Sequence, residues 1–272
     1  MIRQLKNLCG IDIGCTNIKM TALKENTLIQ KTVPSGDDLS KENLIKIISE
    51  FYTSFNFNFK GLGIAFSGCT TDGTHVCDTS LQCLEGLSIY DFVHLNCKNI
   101  RLINDANASA LAGLLEYPQS NVLISITNGT GIGCGIVING KLFTGAYGLA
   151  GQIYGNPTIG PDGKIIKTGK ICSGSKVLKK IDNTFESFED LKIIHQSASY
   201  MGIEIVSLIH SYNPDIIYLS GGGFSFPGYM ESLTCFIYQH TYPNFLKNLK
   251  VVKTNFSSYS GCFGAMKYLL LE

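Results

Sequence analysis

The chain has 272 residues, 22 Lys and Arg against 21 Asp and Glu, a formal net charge of +1 and 44% hydrophobic residues. That length fits one or two domains and can bury a large core without disulfide or metal staples. Near-neutral charge excludes attraction to nucleic acid or a membrane surface by bulk electrostatics, and the apolar content excludes a disordered chain.

In chain order, Leu8 to Ile13 and Asn17 to Leu23 read as two strands around a tight turn at Gly14-Cys15-Thr16. Lys41 to Phe55 has helical spacing, with Leu44, Ile47, Ile48 and Phe51 on one face and Ser40 as its cap. Leu62 to Phe66 and Ile100 to Ile103 are short apolar strands, and Ala106 to Leu115 is a good helix former. Strand, turn and strand then recur: Val122 to Thr127, the glycine run Gly129 to Gly133, and Gly135 to Ile138. Asn139-Gly140 is a hairpin signal leading into Lys141 to Phe143. A Gly/Pro-rich loop, Gly155 to Gly169, precedes expected helices over 174–181 and 188–211. Ile216 to Leu219 is a buried strand ending at Gly221-Gly222-Gly223, and 228–239 and 260–271 read as helices. Two halves that each open with a glycine-turned hairpin predict two similar α/β domains: 1–108, completed by a C-terminal helix over 258–272, and 109–257.

No apolar run reaches the ~18 residues of a membrane span, and residues 1–7 (MIRQLKN) do not read as a secretory leader. The 10 cysteines include no C-x-x-C pair, so neither a zinc knuckle nor a redox dithiol is signalled and a reducing cytoplasm is expected. Cys69, His75, Cys77 and Cys83 form a looser cluster whose spacings fit no common ligand pattern.

The chemistry concentrates in four places. In Gly10-Ile11-Asp12-Ile13-Gly14-Cys15-Thr16-Asn17, a carboxylate at a strand end precedes a tight Gly/Thr turn. Backbone N–H groups and the Thr16 hydroxyl can reach phosphate oxygens while Asp12 holds Mg²⁺ or its waters; an ordinary hairpin with a surface Asp is the competing reading. Gly129, Thr130, Gly131 and Gly133 strip side chains from a second turn, allowing close backbone approach to a ligand. That turn leads into another hairpin rather than a helix, so this is no dinucleotide fingerprint, and no P-loop signature is present. Asn104-Asp105-Ala106-Asn107 enters a helix, where Asp105 is either a general base or a helix cap. Gly221 to Gly223, after a buried strand, suits the floor under an adenine or ribose. Together these predict phosphates clamped in a cleft between two domains, with much of the glycine excess, Gly10 and Gly14 included, spent on backbone approach to phosphate or nucleoside.

In this order and spacing the motifs resemble the ROK family (repressor, open reading frame, kinase) of sugar kinases, over nearly the whole chain. Asp12 to Lys19 looks like its first phosphate motif, D-I-G-G-T-N/K-I-K/R, and Gly63 to Gly68 like its G-I/V-x-x-P-G segment with Ser67 in place of Pro. Asn104 to Asn107 matches E-N-D-A-N, Gly129 to Gly133 is G-T-G-I-G intact, and Gly221 to Gly223 matches L-G-G-G. The resemblance implies a two-domain actin-like ATPase (ribonuclease H-like) fold with an interdomain cleft. It also implies Asp105 as catalytic base. ATP would be bound by Asp12, Gly14, Thr16, Asn17, Gly129, Thr130, Gly131, Gly133, Gly221, Gly222 and Gly223, with Mg²⁺ on Asp12 directly or through water. Gly68, Asn104, Asp105 and Gln152 would contact the sugar, and specificity would lie in the loops Asp72 to Leu87 and Ala146 to Lys170. A homodimer is common in the family.

The departures are informative too. The family's A-G-E-[IF]-G-H becomes Ala150-Gly151-Gln152-Ile153-Tyr154-Gly155, replacing a sugar-binding Glu by Gln152 and leaving no zinc-binding His. Only Cys172 lies where the cysteine-rich zinc motif should follow, so no structural zinc is expected. Cys15 replaces a turn glycine, so the backbone there must avoid conformations that favour glycine. No helix-turn-helix precedes the first hairpin, and no nucleic-acid role is expected. The expected function is ATP-dependent phosphorylation of a hexose or N-acylhexosamine. The alternatives are a non-catalytic sugar or nucleotide sensor derived from such a kinase, and a kinase of a non-sugar alcohol.

Overall fold

The computed structural model describes residues 2–36, 38–181, 185 and 187–271. They divide into two compact units. The first runs to Pro118 and includes Thr144–Ala150 and the segment from Asn255 onward; the second comprises Gln119–Phe143 and Gly151–Thr254.

The first unit contains β1 (Leu8–Ile13), β2 (Asn17–Lys24), β3 (Thr27–Pro34), α1 (Lys41–Thr53), β4 (Gly61–Phe66), β5 (Ile100–Asn104) and α2 (Asp105–Glu116). Its sheet has the order β3-β2-β1-β4-β5, antiparallel from β3 to β1 and parallel from β1 to β5. Strands β1 and β4 are covered on both faces, which is why they read as continuous apolar runs rather than alternating ones. Successive side chains of a strand point to opposite faces. Cys9, Ile11 and Ile13 of β1 and Leu62, Ile64 and Phe66 of β4 therefore join one core with Leu44, Ile48 and Phe51 of α1. Ser40 caps α1, accepting from the Asn43 amide at 3.2 Å, and the helix ends at Thr53, short of Phe55.

The second unit contains β6 (Val122–Asn128), β7 (Ile132–Ile138), β8 (Lys141–Phe143), β9 (Pro157–Ile159), β10 (Ile165–Lys167), α3 (Gly169–Cys172), α4 (Gly174–Leu178), α5 (Phe188–Tyr212), β11 (Ile216–Ser220), α6 (Tyr229–His240), α7 (Pro243–Leu246) and β12 (Lys250–Lys253). Its main sheet has the order β12-β11-β6-β7-β8, with β6 antiparallel to β7 and parallel to β11. Ser187 caps α5 by accepting from the Asp190 amide at 3.0 Å, and Asn213 ends it in the left-handed region, φ 47°. Ile194, Ala198, Met201, Ile205 and Ile209 of α5 pack into one core with β6, β11 and α6. The segment expected to be a loop, Gly155 to Gly169, contains the ladder β9–β10, and the helix expected over 174–181 stops at Leu178.

The chain closes with α8 (Ser260–Tyr268), in the first unit. It is shorter than the expected 258–272, of which Glu272 lies outside the described residues. Helix α8 covers the second face of β1 and β4, where those strands carry glycine. A Cβ on Gly10 would strike the Cys262 carbonyl, one on Gly63 the Ala265 carbonyl, and one on Gly264 the Ala108 carbonyl of α2. Gly10, expected to serve phosphate approach, is therefore required by helix packing instead. The division expected after residue 108 falls inside α2, whereas the compact units part after Pro118. Among the described residues, no helix is long and apolar enough to cross a membrane.

Candidate active site

In the first unit, the expected site residues gather at the ends of β1, β4 and β5. Asp12 points to the α8 face of β1, and its carboxylate lies against Gly261 in the first turn of α8. A Cβ there would sit 2.5 Å from Asp12 Cγ. A helix N-terminus favours negative charge. Asp12 also faces Lys19 across the β1–β2 ladder. Burial raises its pKa, and the Lys19 charge opposes the rise.

The turn after β1 is closed by a Gly14 amide bond to the Asn17 carbonyl at 3.0 Å. Ser35 fastens it from just beyond β3, donating its hydroxyl to the Gly14 carbonyl at 2.6 Å and its amide to the Thr16 carbonyl at 3.0 Å. Cys15 is not among the residues with positive φ, so its side chain costs no backbone strain. Its thiol is pushed up by burial and then by the Asp105 charge. Thr16 is exposed.

The cap of α2 is not Asp105 but its neighbour. Asn104 Oδ1 accepts from the Ala106 and Asn107 amides, both at 3.0 Å, so Asn104 is the cap of α2. Asn104 Nδ2 donates to the Gly68 carbonyl at 2.8 Å and to Asp105 Oδ1 at 3.0 Å. Asp105 Oδ1 also accepts from Ala106 N at 2.8 Å. Oδ2 carries none of these bonds. Burial, and then the Asp12 charge, raises the Asp105 carboxyl to about 7, against the Ala106 amide and Asn104 side chain that stabilise its ionised form. Gly68, Asn104, Asp105 and Asp12 thus form one group linked by hydrogen bonds and charge.

In the second unit, β6 ends at Asn128 and the turn Gly129-Thr130-Gly131 leads into β7. All three turn residues are exposed. Helix α4 holds the turn from behind, with Ser175 donating its amide to the Gly129 carbonyl at 3.1 Å and its hydroxyl to the Thr130 carbonyl at 2.6 Å. Among the described residues, no atom beyond the adjoining chain neighbours lies within 4 Å of where a Cβ would stand on Gly129 or on Gly222. Gly133 is already within β7, opposite Thr127, and is not part of the turn.

Gly221 and Gly223 are glycines for a reason the sequence does not disclose. Asn128 is fully buried. A Cβ on Gly223 would lie 2.6 Å from its Cγ, and one on Gly221, where φ is +105°, would strike its backbone. Asn128 accepts from Gly174 N at 2.8 Å and donates to Tyr229 Oη at 3.3 Å. Sequence reasoning missed this hub, whose signal is a single amide at the end of a largely buried strand. Gln152 is exposed and precedes a single helical turn, Ile153–Gly155.

Among the described residues, no three His, Cys, Asp or Glu side chains gather as a metal site. Within the loose cysteine cluster, Cys69 bridges to Asp78, His75 bridges to Ser88, and Cys83 is buried in a helical turn.

The chain is similar to several known proteins. The N-acetylmannosamine kinase of Vibrio cholerae is 28% identical over 254 residues, covering 82% of this chain and 86% of the relative. The xylose repressor of Staphylococcus xylosus is 29% identical over 225 residues, covering 74% of this chain and 58% of the repressor, so the relatives include regulators as well as kinases. A ROK family glucokinase from Streptomyces griseus, solved with glucose and AMPPNP, superposes with a TM-score of 0.79 at 17% identity, covering 96% of this chain and 98% of that one. The fold is thus the two-domain α/β fold of the actin-like ATPases. The ROK family model matches residues 8–271, and with both glycine-containing turns and the Asn-Asp pair inside that match, the chain belongs to the ROK family.

Proposed function

We propose that this chain phosphorylates a hydroxyl of a hexose or N-acylhexosamine, with ATP as the donor. The observation that carries the reading is the state of Asp105. Relieved of capping by Asn104 and raised to about 7 by burial and Asp12, it is a carboxylate whose proton affinity matches a general base working near neutrality. Asn104 Nδ2 holds Oδ1, leaving Oδ2 to accept the proton of the attacking hydroxyl.

The residues present fit Mg-ATP. The open turns at Gly129 and Gly222 admit phosphate and nucleoside to the backbone, and the Asp12 carboxylate is of the oxygen-donor type that Mg²⁺ takes directly or through water. Bound Mg-ATP supplies the γ-phosphoryl group. Thr16, Asn17, Thr130 and Gly131 would hold phosphate oxygens through amides and hydroxyls. Gly14 and Gly129, whose amides close their turns onto the Asn17 and Gly131 carbonyls, would let phosphate approach the backbone closely, and Gly133 would support the turn from β7. Gly221 to Gly223 would lie on the nucleoside side. Gly68, Asn104 and Gln152 would orient the sugar, Gln152 by neutral hydrogen bonds only. All 10 cysteines are free thiols, which supports a reducing, cytoplasmic setting.

A second reading is favoured by the repressor among the relatives and by the substitutions at Cys15, Ser67, Gln152 and Gly155. It is a non-catalytic sugar or nucleotide sensor. An ADP-release assay with Mg-ATP over hexoses and N-acylhexosamines separates the two. Sugar-dependent turnover, lost on chelation of Mg²⁺ and reduced by about 100-fold or more in Asp105→Asn with sugar binding retained, is the expected result. Saturable sugar binding without turnover would establish the sensor, and full activity in Asp105→Asn would remove Asp105 as base.

A further inference from the structure

The excursion from Gly151 to Cys172 carries Gln152, yet its tip has little apolar anchorage. Ile159 and Ile165, paired across β9 and β10, are 67% and 80% exposed. What ties its base is a carboxylate on another element. Glu204 lies in the interior of α5 and is 6% exposed. Its Oε1 accepts from Thr168 Oγ1 at 2.5 Å and its Oε2 from Asn156 Nδ2 at 2.8 Å. Asn156 immediately precedes β9 and Thr168 immediately follows β10, and the Thr168 amide also donates to the Asn156 carbonyl at 2.8 Å. Both ends of the ribbon therefore meet on one carboxylate.

From there the contacts run to the glycine-containing turn within the same unit. The Thr168 carbonyl accepts from the Ile171 and Cys172 amides at 3.0 and 3.1 Å, which starts α3. The first residue of α3 is Gly169, and a Cβ there would strike the Tyr154 ring. The same ring lies 3.9 Å from the position a Cβ would take on Gly131. Tyr154 is thus seated between Gly169 and Gly131, two residues from Gln152. Burying a carboxylate is costly unless it is satisfied, and among the described ion pairs Glu204 has no cationic partner. It is satisfied by two neutral donors, both on the excursion.

We propose that Glu204 is a positioning residue that, through Asn156 and Thr168, fixes Tyr154 and Gln152 against the turn Gly129–Gly131. The function it serves rests on the kinase reading; the geometry does not. Hydrogen exchange read by mass spectrometry on the full chain, without ligand, tests the geometry directly. In Glu204→Ala, the amides of residues 153–172 should exchange about tenfold faster or more, while those of residues 194–209 in the same helix keep their protection. Glu204→Gln retains an acceptor oxygen and should restore most of the protection. Thr168→Val removes, at similar volume, one hydroxyl that reaches both Glu204 and the Asn156 carbonyl and should loosen the same segment by about fivefold; if the alanine variant does not fold, unchanged exchange in Thr168→Val overturns the proposal. Unchanged exchange over 153–172, or equal loosening throughout the unit, would overturn the proposal. In the phosphorylation assay, Glu204→Ala should raise the sugar KM about tenfold with a smaller loss of kcat, and Glu204→Gln should reverse the rise. An unmoved sugar KM despite loosened exchange would overturn the positioning role. A wild-type chain that phosphorylates no sugar would defeat the kinase reading while the exchange result still decides whether Glu204 holds the excursion.

Discussion

Replacing Asp105 by Asn converts its titration into a measurable change of stability with pH. In the unfolded chain the carboxyl titrates at its ordinary value of 3.8, whereas in the fold it titrates at about 7. Between those values the folded state binds the proton and the unfolded state does not, so stability falls as pH rises through that window. The difference is roughly three pH units, or at most about 4 kcal/mol, at 1.36 kcal/mol per unit. An Asn side chain keeps the size and does not titrate. The free energy of unfolding of wild type minus that of Asp105→Asn should therefore decline by up to about 4 kcal/mol between pH 4 and pH 8. Urea unfolding followed by circular dichroism at half-unit pH steps measures it, with the Asp105 carboxyl carbon titrated by NMR as a direct check. Asp12→Asn should lessen the decline without abolishing it, because burial is the larger cause and the Asp12 charge the second. A stability difference independent of pH, or a carboxyl that titrates near 4, would refute the argument that this site prepares a base.

Two further expectations concern the frame that holds the site. Gly264→Ala forces a Cβ into the Ala108 carbonyl where α2 and α8 cross; because both partners are backbone, neither can turn aside, and a loss of about 2–3 kcal/mol is expected in the same unfolding assay. A loss within 0.5 kcal/mol would mean that the two helices can separate at little cost. Asn128→Ala leaves the Gly174 amide without its partner and removes one of the partners of the Tyr229 hydroxyl, which keeps Ser197; a loss of about 1–3 kcal/mol is expected, with weaker nucleotide binding by calorimetry if the turn Gly129–Gly131 depends on that hub.

Local chemistry made much of the molecule legible. The turns at Gly14-Cys15-Thr16, Gly129–Gly131 and Asn139-Gly140, the Ser40 cap and the apolar runs of β1, β4, β6 and β11 all depend on interactions a few residues apart, which composition and spacing express directly. Strand β3 was not legible because Thr27–Pro34 is almost wholly exposed and owes its conformation to pairing with β2. The ladder β9–β10 was not legible either, since three-residue strands with outward-facing isoleucines resemble a loop.

At the site the division follows the same physics. By itself, the sequence determined the family, the two glycine-turned hairpins and the Asn-Asp pair at a helix entrance. Which of those residues does what was decided by tertiary contacts. Asn104 rather than Asp105 caps α2 because the strand delivers Asn104 in an extended conformation with its amide beneath the helix. Gly10 serves α8 and not phosphate because residues from the opposite end of the chain fill the space above it. Gly221 and Gly223 must be glycine because Asn128 fills the space beside them. The proton affinity of Asp105 exists only where burial and the Asp12 charge coincide. A turn is encoded by its own few residues, whereas an electric field or an excluded volume belongs to whatever the fold brings alongside.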